Sequence, residues 1–280
     1  MTSSRLWTWM RARRYALPGA LGARLPAPGA GDAAALCERL RRRGIATTAG
    51  YFQGEHDTPD TIVRSYRALL EAGACASLSV KAPPLGFAPG RLRAIAEAAA
   101  NAGAVLMLDA HGPGDAEATI AATEALLADF PQSGCVLPAR WRRSLGDADR
   151  LRDTSTRLRI VKGEWADPDG DPDDEGAAYL ALIERLAGRA APVAVATHDP
   201  ALAARALDRL IAAGTPCELE QLRGLPRRRT MAAARRRGVP VRLYIPFGPG
   251  WWPYAIDKAL ARPHLPLWWL RDRFGLRDRA

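Results

Sequence analysis

Lysine is almost missing from this chain. Of the 40 Lys and Arg residues only Lys81, Lys162 and Lys258 are lysine, which leaves 37 arginines against 30 acidic residues and a net charge of +10. Arg is a planar fork and Lys a compact, titratable point charge, so the three lysines are candidates for positions that need an ammonium. Cysteine is also scarce: Cys37, Cys75, Cys135 and Cys217 form no CxxC and no His-paired cluster. A zinc site or disulfide framework is not expected, and a reducing compartment fits. No run of 18 uncharged apolar residues exists; the stretch from Tyr244 to Ile256 is short and broken by Pro and Gly, so no membrane-spanning helix is expected. The chain has no GxGxxG after its first strand-like segment, no GxxxxGK[ST] loop and no nucleophile elbow. Its four His residues (56, 111, 198 and 264) share no metal-ligand spacing.

With 48% hydrophobic and 25% charged residues the 280-residue chain has a globular composition. Its first acidic residue is Asp32, after Arg5, Arg11, Arg13, Arg14 and Arg24 with Trp7 and Trp9. Residues 1–31 resemble a transit peptide in charge and read as a loose basic arm. The triplets Arg41–Arg43, Arg227–Arg229 and Arg235–Arg237 read as solvated helix faces, with no nucleic-acid partner expected. Residues 264–280, with Trp268 and Trp269, are amphipathic and read as a cap on the domain, with peripheral contact at the inner face of a membrane as the other reading. The expected location is cytoplasmic.

Between these tails runs a two-stroke rhythm. A short helix over Asp32–Arg43, capped by Asp32, precedes strand-like segments at 45–52, 75–81, 104–109, 134–138, 158–162, 193–196, 216–219 and 241–245. Helical segments alternate with them at 58–72, 88–101, 115–129, 141–152, 176–186, 200–213, 227–237 and from about 252 to 261. Short apolar strands without clean alternation are expected where both faces are buried. Eight such units argue for an α/β fold, a distorted (β/α)8 TIM-type barrel over residues 32–263, rather than a doubly wound open sheet.

In that architecture chemistry gathers at the C-terminal ends of the strands. Lys81, Asp109, Lys162-Gly163, Thr197-His198 and Tyr244 lie there, Arg159 lies within strand five, and Glu218 and Glu220 mark strand seven. Tyr254, Asp257 and Lys258 follow at i, i+3, i+4, on one face of the last helix. A mouth rich in Arg, Lys, Tyr and Trp suits a large anionic planar cofactor and a small carboxylate.

The ordered segments Leu78–Lys81, Leu108–Ala110, Arg159–Gly163, Ala196–Asp199, Glu218–Gly224 and Val241–Tyr254 resemble the signature of the proline dehydrogenases. The resemblance implies a barrel that binds FAD without covalent attachment, oxidises L-proline or a similar secondary amine to an imine, and passes electrons to a quinone or other acceptor. It implies that Lys81 holds the substrate carboxylate. Asp109 and Tyr244 would pair beside the substrate. Arg159 would donate to the isoalloxazine and favour its reduced, negatively charged form. Lys162 and Gly163 would approach the ribose–phosphate arm, and Thr197 and His198 the diphosphate or adenine half. Glu218 would match an acidic strand-seven position, and Trp165 would stand for a Tyr over the site.

The chain departs from the pattern at Pro138 and Glu220, each in place of a Gln, and at Arg140, in place of an aromatic residue. The last helix carries Asp257 and Lys258 where the family has two Arg that clamp the proline carboxylate. Asp257 reverses a charge there. Two alternatives follow: a flavoprotein acting on an amine without a clamped carboxylate, and a barrel without catalysis.

Overall fold

The computed structural model describes residues 26–73 and 75–261. The expected basic arm falls outside the described residues as far as residue 25, and the expected C-terminal tail falls outside them entirely. Helix α1 (Ala30–Arg41) leads into β1 (Ala46–Tyr51), α2 (Pro59–Ala72), β2 (Ser77–Val80), α3 (Pro89–Asn101), β3 (Val105–Leu108), α4 (Ala116–Leu127), β4 (Gly134–Pro138) and α5 (Ser144–Leu151). There follow β5 (Arg157–Val161), α6 (Glu175–Leu186), β6 (Val193–Ala196), α7 (Pro200–Ala212), β7 (Cys217–Leu222), α8 (Arg228–Arg236), β8 (Val241–Phe247) and α9 (Trp251–Ala261). The eight strands are parallel and pair in chain order, and β8 pairs with β1 to close the barrel.

Turn and cap chemistry sets the element boundaries. Asp174 accepts from the Gly176 and Ala177 amides to start α6, and Asp199 accepts from Ala201 and Leu202 to start α7, so each satisfies two orphan donors of a helix end. Asp32 is not the cap of α1. The cap is Gly29, and the Asp32 carboxylate reaches back to the Gly29 amide at 2.9 Å from the third helical position. The last two strands run longer than expected, to Leu222 and Phe247, which carries Glu220 and Gln221 into the ladder.

The strands do alternate, in a way that hydropathy alone conceals. Leu158 and Ile160, Val193 and Val195, Leu219, and Leu243 and Ile245 are buried in the apolar core beneath the helices. Their neighbours Arg157, Arg159, Ala194, Glu218, Glu220, Arg242 and Tyr244 take the opposite parity and meet one another across the barrel axis. Small residues make room for them: a Cβ on Gly50 would overlap the Tyr244 hydroxyl, and one on Gly134 would overlap the Arg157 carbonyl.

The inward charges form two layers. In the lower one Glu218 joins Arg242, with Nε–Oε1 2.7 Å and Nη2–Oε2 3.2 Å, and also pairs with Arg157. Burial would raise the Glu218 pKa, but the Arg242 and Arg157 charges outweigh it and hold it below the ordinary value of 4.5. Removing the shared carboxylate strands two guanidinium groups inside the barrel. Glu218→Leu is therefore expected to lower unfolding free energy by about 3–5 kcal/mol in a urea titration at neutral pH. Because the folded pKa is depressed, this contribution is complete above pH 4.5 and fades as the pH falls through the folded value. The gap between wild type and variant should close in that direction.

Candidate active site

Above that layer the barrel opens, at the C-terminal ends of its strands, into a cavity of about 550 Å³. Its base is Arg159, only 4% exposed. Nη1 donates to Glu220 Oε1 at 3.0 Å, and Nη2 donates to Asp109 Oδ1 at 3.0 Å and Ser79 Oγ at 2.8 Å. The guanidinium also lies 5.4 Å from the Tyr244 ring centroid. Burial alone would lower its pKa. Glu220 and Asp109 overcome that cost, so Arg159 is held protonated well above its ordinary pKa. Burial, reinforced by Asp109, pushes the Tyr244 phenol well above its own and keeps it a neutral donor.

Lys81, one residue beyond β2, donates to the Tyr51 carbonyl at 3.2 Å, and its Nζ sits 3.8 Å over the Phe52 ring. Burial lowers its pKa, against the opposing pull of Asp109. Phe52 continues into an aromatic wall with Tyr254 and Trp251, at centroid distances of 5.0 and 5.3 Å. On the far side His111 meets Trp165 edge-on at 5.8 Å. Trp165 is 48% exposed, and its backbone carbonyl accepts from Trp141 Nε1 at 3.0 Å. Tyr254 Oη donates to Glu164 Oε2 at 3.2 Å, tying α9 to the loop after β5.

Short side chains line the β4–β6 side: Val136, Pro138, Val161, Gly163 and Ala196. Gly163 sits at φ +106, and a Cβ there would press on Arg140 and Pro138. The Arg140 guanidinium is turned away to Asp171 and the Glu164 carbonyl. His198 Nε2 accepts from the Leu222 amide at 3.2 Å, so its proton is on Nδ1, which donates to the Pro226 carbonyl at 2.7 Å.

Of the residues singled out from the sequence, Lys81, Asp109, Pro138, Arg159, Gly163, Trp165, His198, Tyr244 and Tyr254 all line this cavity. Glu218 does not: it is one inward step below Glu220, in the lower charge layer, and Glu220 takes the lining position. Lys162 points outward, 4.0 Å from Glu175. Thr197 is buried, its hydroxyl accepting from the Asp199 amide and its carbonyl from Gln221. Asp257 lies on α9 outside the lining set, and the side chain of Lys258 is outside the described residues. Among the residues that sequence reasoning passed over are Phe52, which directly follows β1, and Glu164, which directly follows Lys162-Gly163. The strand-end rule that found their neighbours covers both positions.

No family model matches the chain. It is 27% identical over 249 residues to proline dehydrogenase 1 of Bacillus subtilis (strain 168), with 81% of each chain aligned. The chain is similar to proline dehydrogenases along most of its length. The proline dehydrogenase of Deinococcus radiodurans is 26% identical over 251 residues, again with 81% of each chain covered. Among solved structures, proline utilization A from Bdellovibrio bacteriovorus, inactivated by N-propargylglycine, superposes with a TM-score of 0.73 at 18% identity over 90% of this chain and 33% of that one. Proline utilization A from Corynebacterium freiburgense gives 0.73 at 17% identity, over 95% and 34%. The chain therefore spans about a third of those longer chains, which share its barrel.

The lowered Lys81 pKa has a direct readout, since the chain has only three lysines. Labelling with an acylating reagent across a pH series, followed by peptide mass spectrometry, should give Lys81 a half-labelling pH below the ordinary 10.5 of lysine. Asp109→Asn removes the charge that opposes the shift, and should move that half-point lower still.

Proposed function

We propose that the chain is a flavin-dependent oxidoreductase of the proline dehydrogenase type, oxidising a small secondary amine to an imine in the cavity above Arg159. The observation that carries this reading is the buried Arg159, held charged at the base of a cavity lined on one side by short side chains, in a chain similar to proline dehydrogenases along most of its length. That donor set fits FAD. A planar ring needs a floor without projecting side chains, which Val136, Val161, Ala196 and Gly163 supply. An electron-accepting ring also needs a fixed positive group beneath it. When bound, FAD would accept a hydride from the carbon beside the nitrogen of the neutral amine, leaving an iminium that gives its N–H proton to water to become the imine.

The chain's own residues have four tasks. Arg159 supplies preorganised positive charge; it costs no reorganisation, because Glu220, Asp109 and Ser79 already fix its plane. Phe52, Tyr244, Tyr254 and Trp165 exclude water from the cavity, which favours the neutral amine whose lone pair the oxidation uses. Asp109 helps fix the guanidinium of Arg159, and Glu164 anchors Tyr254 at the rim. Gly163 and His198 line the end of the cavity toward β6 and would flank the longer arm of the cofactor, with Lys162 outside it. A small-molecule electron acceptor completes the cycle. Among the described residues no helix is long and apolar enough to cross a membrane.

A second reading within the same class is favoured by the last helix, where Asp257 stands in place of an arginine clamp. The amine oxidised is then one without a carboxylate. Anaerobic mixing of the yellow holoprotein with amines tests both readings: loss of flavin absorbance with L-proline supports the first, and loss only with amines lacking a carboxylate supports the second. If no amine bleaches the flavin, the oxidoreductase reading fails. Arg159→Met should slow bleaching by about a hundredfold or more, the effect of removing one preorganised donor. Asp257→Arg should raise the rate with L-proline by about tenfold, given the worth of one charge-assisted bond.

A further inference from the structure

We propose that His111 is the base that takes the surplus proton of the amine substrate before its oxidation. This rests on the cavity being the amine-oxidising site.

A small secondary amine in neutral water is an ammonium, and its lone pair is tied up in an N–H bond. Hydride loss from the neighbouring carbon needs that lone pair, so one proton must leave the nitrogen first. A cavity that excludes water favours the neutral amine, but it also needs a group to receive the proton. That group must border the cavity, have a lone pair to offer and be able to pass the proton on.

The titratable groups of the described lining differ sharply in this respect. Arg159 and Tyr244 are both held protonated. Asp109 and Glu220 are bonded to Arg159, and Glu164 accepts from Tyr254. Lys81 donates its ammonium to the Tyr51 carbonyl. Of the two imidazoles, His198 is closed at both nitrogens by the Pro226 carbonyl and the Leu222 amide. His111, three residues past β3, makes no side-chain hydrogen bond among the described residues. Trp165 holds it through the ring, with the two planes 72° apart. Such an edge-to-face contact fixes an imidazole and leaves both of its nitrogens available. Away from the main cavity His111 shares a small cleft with Asp147 of α5. Both Asp147 oxygens are taken by Arg143, at 2.9 and 2.8 Å, so this carboxylate does not compete for the imidazole.

The step balances within the cavity. An N–H bond of the bound ammonium breaks, its proton bonds to the unprotonated ring nitrogen of His111, and the electron pair stays on the substrate nitrogen. The products are a neutral amine and an imidazolium. Imidazole suits the task because it ordinarily exchanges a proton in the neutral range. His111 is half-buried beside the exposed Trp165, where the imidazolium returns its proton to water.

The test is anaerobic flavin reduction of the holoprotein by L-proline and by pyrrolidine across a pH series, for wild type, His111→Ala and His111→Gln, each checked for equal FAD content. Both variants should be slower by about a hundredfold or more at neutral pH, the worth of one positioned base. The gap should narrow as the pH rises toward the amine's own pKa, because the substrate then arrives neutral. Added imidazole should speed His111→Ala in proportion to its unprotonated fraction and leave His111→Gln, where the side chain fills the place, unchanged. A second readout needs no turnover. In dithionite-reduced holoprotein, where no hydride can move, pyrrolidine should shift the carbon-13 signal of the His111 ring toward the imidazolium position. A variant as fast as wild type, a deficit that persists at high pH or that imidazole does not relieve, or a His111 signal that stays still would overturn the inference and leave the oxidation reading standing. If neither amine bleaches the wild type, the inference falls together with that reading.

Discussion

The structure depends on one buried cation. Arg159 crosses the barrel interior to touch Ser79 on β2, Asp109 just past β3, Glu220 on β7 and the ring of Tyr244 on β8. A guanidinium in such a place is tolerated only when its charge and its donors are satisfied together. Two carboxylates and a hydroxyl do this, and in doing so they fix the positions of four strand ends. The mouth is thereby built around a charge that cannot move.

The second charged layer explains why the first is possible. Glu218, Arg157 and Arg242 fill the axis below with a self-contained cluster, so the upper layer rests on a rigid base rather than on water. Most barrels of this architecture fill the axis with branched apolar side chains. Here the apolar residues are turned outward, where Leu158, Ile160, Val193 and Val195 bind the helices. The inward parity is given to charged residues beside glycine and other short side chains, and stability and site construction are divided between the two faces of these strands.

The barrel was legible in the residues, the division between its strand faces was not, and particular failures show why. The eight strand-like segments stand out because each is short, apolar on average and bounded by Gly, Pro or Asp. Lys81, Asp109 and Tyr244 stand out because polar groups finish those segments. The choice between Glu218 and Glu220 was not legible. Both have the inward parity, and only the shear of the closed barrel decides which reaches the mouth. Asp32 was misplaced because a carboxylate can start a helix from the cap or from the third helical position, where it accepts from the amide of the cap residue instead. Lys162 and Thr197 mark strand ends, but their side chains fall to the outside or into the turn. The partners of Arg159 were unreadable as well, since they are 50 to 80 positions away in the chain.

The mouth combines the buried arginine and an aromatic wall with carboxylates at Asp109, Glu164 and Glu220. The central claim is that Arg159, held charged by Glu220 and Asp109, is the seat of a flavin. Titration of FAD into protein stripped of bound flavin, followed by quenching of flavin fluorescence, measures this directly. The account predicts saturable quenching at a single equivalent in the wild type, and weakening by about tenfold or more in Arg159→Met, as for loss of a charge-assisted partner. No quenching in the wild type, or equal affinity in the variant, would contradict it.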